Sequence, residues 1–69
     1  MSSNVYKITE VVGSSTESQE DAIRAAIRRT ARTIDHLQWF EVAESRGFIE
    51  DGDVAYWQVK VKIGFTLND

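Results

Sequence analysis

The side chains best suited to chemistry in this sequence are one tryptophan, one glutamine and a single histidine. Trp39 offers a flat indole, and stacking it on another ring contributes about 0.5–1.5 kcal/mol beyond the area buried. Gln58 carries a donor and an acceptor on one amide, which suits the edge of a heteroaromatic ring such as a flavin or purine. His36 is the sole imidazole, and in a chain without cysteine it makes no zinc site unless carboxylates help. Nucleophilic catalysis finds no footing. Ser14, Ser15 and Ser18 crowd together where helix capping accounts for them, and one histidine does not assemble a Ser-His-Asp arrangement. Gly13-Ser14-Ser15 lacks the phosphate-loop pattern, and Glu50, Asp51 and Asp53 cluster at a turn where solvent is the ordinary neighbour. These residues point to binding, and no enzyme is expected.

The 69 residues make one domain, 1–69. A chain this short buries about 60% of the surface its unfolded form exposes, and such a core rarely contributes more than ~3–5 kcal/mol. Small domains compensate with disulfides, a metal or association. The absence of cysteine removes disulfides and thiolate sites together, so association with copies of itself is the expected reinforcement. Eleven acidic against eight basic residues leave a net charge of −3, which does not favour a nucleic-acid partner. Met1-Ser2-Ser3-Asn4 is polar with no apolar run behind it, so neither signal peptide nor membrane span is expected, and the cytoplasm is the expected location.

Three stretches must position the candidate residues. Val5 to Val12 is rich in β-branched and aromatic types, as strands are, and Gly13 then punctuates the chain. Ser18 is a well-placed N-cap, with acidic residues in the turn that follows. From Ser18 to Asp35 the period is helical: Ile23, Ile27, Thr30 and Ile34 recur at three- and four-residue steps, opposite Arg24, Arg28, Arg29 and Arg32. That arginine face is expected to be solvated or to pair with acidic groups of another copy.

The remainder reads as a hairpin, Trp39–Glu50 and Asp53–Leu67, joined at Asp51-Gly52. An even register from that turn sets Phe40 against Ile63, Glu41 against Lys62 and Val42 against Val61, all favourable cross-strand pairs. The fold class is therefore α+β, in the order β-α-β-β, with a three-stranded antiparallel sheet packed on one amphipathic helix. Trp57 falls on the apolar face and is expected in the core. Trp39 falls on the face away from the helix, with Gln58, Lys60 and Lys62. A large aromatic there needs a cover, either another subunit or a flat ligand. The register separates Trp39 from Gln58 by roughly 20 Å at ~3.3 Å per residue. A site using both must lie between subunits.

Several segments resemble one family. Val5-Tyr6-Lys7-Ile8 followed by Val12-Gly13-Ser14-Ser15, then Leu37-Gln38-Trp39-Phe40-Glu41-Val42 with Arg46-Gly47, and finally Tyr56-Trp57-Gln58-Val59-Lys60-Val61-Lys62-Ile63-Gly64-Phe65 are similar to bacterial dodecins over nearly the whole chain. The resemblance implies a hollow homododecamer holding flavins as stacked pairs at two-fold axes between subunits. It assigns the stacking indole to Trp39, the hydrogen bond to the isoalloxazine edge to Gln58, and proximity to ligand phosphates to Arg46. The implied cofactor is FMN (or riboflavin or FAD), with coenzyme A bound by some members, and the implied role is flavin storage and protection from photochemistry. Two positions depart from the family pattern. Phe48 replaces a small or polar residue, and Thr66 stands where some members carry an arginine, which counts against coenzyme A or tight phosphate binding. The alternatives are a structural or interaction module with Trp39 buried between subunits, and a coenzyme A or nucleotide carrier that uses the arginines.

Overall fold

The computed structural model describes residues 4–67. Strand β1 (Tyr6–Ser15), helix α1 (Gln19–Ala31), and strands β2 (Leu37–Glu50) and β3 (Asp53–Thr66) follow in the expected order. The strands form one antiparallel sheet ordered β1-β3-β2. The central strand is the one whose alternation is most regular, and its inward row supplies the core: Val59, Val61 and Ile63 are buried under Ala22 and Ala26 of α1. Two alanines one turn apart let the helix approach closely. The approach is tight at Gly13, where a Cβ would lie 2.1 Å from the carbonyl oxygen of Ala22. Gly13 is therefore a strand residue under the helix and not a break, and β1 runs on to Ser15 instead of ending at Val12.

The serines before the helix do structural work, as expected. Ser18 caps it, its Oγ accepting from the Asp21 amide at 3.0 Å. The Ser15 hydroxyl donates to Asp21 Oδ2 at 2.7 Å and accepts from the Glu17 amide at 2.9 Å. The helix ends at Ala31, four residues short of the expected Asp35. In its last turn Thr30 Oγ1 donates back to the Ala26 carbonyl, and the amides of Thr33 and Ile34 both close on the Thr30 carbonyl. Such local bonds compete with continued helix. His36 then takes a left-handed φ of 65° and turns the chain into β2, its carbonyl accepting from the Thr66 amide.

The hairpin closes as the sequence suggests. Asp51 and Gly52 both have positive φ, 51° and 77°, the signature of a type I′ turn matched to strand twist. Phe40–Ile63, Glu41–Lys62 and Val42–Val61 are all paired. Between that block and the turn the register slips twice, in opposite senses: Ala43 is extra on β2 and Ala55 is extra on β3. An even count from the turn would set Arg46 against Trp57; instead Arg46 faces Gln58 and Gly47 faces Trp57. Trp57 is half-buried, with its ring over Gly47, so it is less of a core residue than its place in the alternation suggests.

Helix α1 packs on β1 and β3, leaving β2 as an open edge. Every residue of β2 except Leu37 is exposed. Phe40 and Val42 lie on the helix side of the sheet yet remain 48% and 44% exposed. Among the described residues, no helix is long and apolar enough to cross a membrane.

Candidate functional site

Trp39 begins the regular part of β2. A slip at Gln38 sets Leu37 against Phe65 and Trp39 against Gly64. Gly64 offers no side chain, so the indole lies across the central strand: a Cβ built there would fall 2.2, 2.3 and 2.6 Å from Cε2, Cζ2 and Nε1 of Trp39. The ring rests on β3 and stays 40% exposed. Tyr6 meets it edge-on, with centroids 6.4 Å apart and planes at 63°. Ile8 pairs with Gly64 from the other side and so shares this face. The result is an apolar platform of Tyr6, Ile8 and Trp39 on the helix-free face of the sheet.

Farther along the same face the surface turns polar. Arg46 Nη1 donates to Gln58 Oε1 at 3.2 Å, and Arg46 Nη2 donates to Glu44 Oε1. The second oxygen of Glu44 lies 3.7 Å from Lys60 Nζ. This cluster exists because of the extra residue at Ala43, which sets Glu44 opposite Lys60 and Arg46 opposite Gln58; bulges commonly re-aim side chains in this way. Phe48 and Tyr56 stack beyond the cluster at 4.6 Å and 13°.

The structure thus brings two of the three candidate residues together. Arg46 and Gln58 touch, while Trp39, paired with Gly64, stands six residues from Gln58 along β3, roughly 20 Å at ~3.3 Å per residue. No single ring spans that distance within one chain. Sequence reasoning missed Gly64, although its position opposite Trp39 in the register was a usable signal. It also missed Glu44, whose placement depends on a bulge between two unremarkable neighbours.

A hollow also lies on the helix side of Trp39's strand. Ile27, Leu37, Gln38, Trp39, Phe40 and Ile63 line an open apolar space of about 140 Å³ beside the start of β2. Pockets that enclose drug-sized ligands run to ~300–1,000 Å³, so this one does not enclose a ring ligand by itself. Among the described residues, no group of three or more His, Cys, Asp or Glu is placed to hold a metal ion.

Fold and surface together define a class: a small helix-backed antiparallel sheet whose other face carries an open stacking platform beside a charged patch. The dodecin family model matches residues 5–68. The dodecin of Thermus thermophilus is 48% identical over 65 residues, covering 94% of each chain. The solved dodecin from Streptomyces davaonensis is 46% identical, with a TM-score of 0.93 over 99% of this chain and 100% of that one. The calcium dodecin of Mycobacterium tuberculosis is more distant, 23% identical over 93% of this chain and 90% of its own. This chain belongs to the dodecin family.

Proposed function

We propose that this protein binds FMN-type flavins as stacked pairs between subunits of a hollow homododecamer, storing them and shielding them from light without turnover. The observation that carries the reading is the Trp39 indole laid on Gly64 and open on the face away from the helix. The residues present fit a flat heteroaromatic ring: an indole to stack on, with Tyr6 bracing it, and an amide at Gln58 whose Oε1 is held by Arg46 and whose Nε2 hydrogens are left for a carbonyl acceptor. Arg46 and Lys60 add positive charge on the same face for a phosphate tail. When bound, a flavin supplies a ring whose excited state an adjoining indole quenches by electron transfer. The chain's own part is to hold the indole flat, to present the Gln58 amide, and to exclude water once a second copy covers the face. Because Trp39 and Gln58 are far apart in one chain, the pair of chains is the unit that binds.

The deciding experiment is an FMN titration of ligand-stripped protein followed by flavin fluorescence, with Trp39→Ala alongside and coenzyme A as competitor. Saturable quenching in the parent, weakened at least ~10-fold in the variant (about 1.4 kcal/mol), is the expected result. A parent that does not quench, or a variant that binds as well, refutes the reading. Displacement of FMN by coenzyme A would show that the site accepts both.

A further inference from the structure

We propose that Glu44 competes with ligand anions by occupying Arg46 and Lys60 when no ligand is bound, so that Glu44 sets how strongly the protein prefers a phosphorylated flavin over its dephosphorylated form. The second half of this statement rests on the flavin reading above; the first half does not.

The geometry is that of a ligand mimic. One carboxylate faces both cations, Oε1 accepting from the Arg46 guanidinium and Oε2 lying 3.7 Å from Lys60 Nζ. Arg46 spends its remaining Nη1 on Gln58. A guanidinium donates to carboxylate or phosphate oxygens through the same N–H groups, so at Nη2 Glu44 occupies a donor that a phosphate would use. Two cations against one carboxylate leave the cluster net positive, and displacing the carboxylate leaves both cations to the incoming anion.

Exposure makes the exchange reversible. The side chains of Arg46, Glu44 and Lys60 are 44%, 50% and 33% exposed, and ion pairs so close to water are weak and screened by salt. The carboxylate is therefore a stand-in that a doubly charged phosphate can displace. The placement is also local to the bulge: an even hairpin register would have set Ala43, not Glu44, against Lys60. No role in closing the core accounts for Glu44, because β2 is uncovered along this stretch.

The test compares the ligand-stripped parent with Glu44→Gln and Arg46→Gln at low ionic strength. FMN and riboflavin are titrated by flavin quenching, and pyrophosphate binding is measured separately by equilibrium dialysis. Glu44→Gln keeps an acceptor for Arg46 but removes the charge. The ratio of FMN to riboflavin affinity is expected to rise roughly three- to tenfold, the span of one exposed charge acting on a divalent phosphate. Pyrophosphate is expected to bind more tightly to Glu44→Gln than to the parent, and not to Arg46→Gln. An unchanged ratio with unchanged pyrophosphate binding overturns the proposal. Should neither flavin quench in the parent, the flavin reading fails, and the pyrophosphate comparison still decides whether Glu44 competes for the site.

Discussion

Placing a single methyl at Gly64 tests how the Trp39 platform is built. In Gly64→Ala the new Cβ would sit 2.2 Å from the indole Cε2, about 1.2 Å inside the 3.4 Å where ordinary contact begins. The backbone accepts alanine there, since Gly64 is outside the left-handed region. The strand cannot recede, because Gly64 is paired with Ile8 on one side and Trp39 on the other. The indole must therefore lift off the sheet, and its 40% exposure leaves it room to do so. Overpacking typically costs about 1–3 kcal/mol, and a ring free to move outward belongs at the lower end. A displaced stacking surface forfeits about 0.5–1.5 kcal/mol of ring contact, or roughly 2- to 12-fold in flavin affinity.

The assay is best run in a Trp57→Phe background, which leaves Trp39 as the one indole emitter in a chain with two tryptophans. Gly64→Ala should shift that emission to the red, lower the urea midpoint without changing the slope, and raise the FMN dissociation constant by the stated factor. A double-mutant cycle with Trp39→Ala removes the clash at its source, so the stability penalty of Gly64→Ala should shrink towards zero when the indole is absent. Unchanged emission together with an unchanged midpoint would refute the placement of Trp39 on Gly64.

Two further substitutions test the frame beneath the site. Gly13→Ala drives a methyl to 2.1 Å from the Ala22 carbonyl oxygen and 3.0 Å from the Ala26 Cβ; neither can rotate away, so the helix must back off β1, at a cost of about 3 kcal/mol or more in urea unfolding. Ser18→Ala removes the acceptor for the Asp21 amide and should cost ~1 kcal/mol, with Ser18→Asn restoring most of it; a Ser18→Ala protein that melts like the parent would show that Ser15 alone organises the helix start.

Much of this arrangement was legible in the sequence because local chemistry and global fold agree there. Asp51-Gly52 demands a tight turn, the alternation of β3 is nearly unbroken, and together they gave the right partners for Phe40, Glu41 and Val42. The helix face was equally clear, with Ala22 and Ala26 marking close contact only once the structure shows Gly13 beneath them. What failed to show was tertiary. Gly13 carries a helix across a strand, a role glycine does not advertise differently from a loop. The helix ended early at threonines whose hydroxyls bond back to carbonyls, although their spacing fits a longer helix. The two bulges left no mark at all, since Ala43 and Ala55 suit an even strand as well as a bulged one.

Those two bulges also explain why a partly wrong count gave partly right answers. Their shifts cancel, so the pairs from Trp39 to Val42 match an even register while the stretch between the bulges is displaced by one residue. On the proposed reading the displaced stretch is the one that matters for binding: it turns Glu44 and Arg46 onto the face that bears Trp39, and gives Gln58 the partner that holds its carbonyl oxygen. An unbulged hairpin would present the same tryptophan beside Lys60 and Lys62, but with Ala43 and Ser45 in place of Glu44 and Arg46. The distance between platform and patch then imposes its own condition. Strand geometry holds Trp39 and Gln58 apart in each chain, and the uncovered β2 edge with Phe40 and Val42 half-exposed leaves each chain incomplete on that side. A ligand that needs both an indole and an amide is met only where two copies bring opposite ends of the Trp39 face together, so on the proposed reading binding requires assembly.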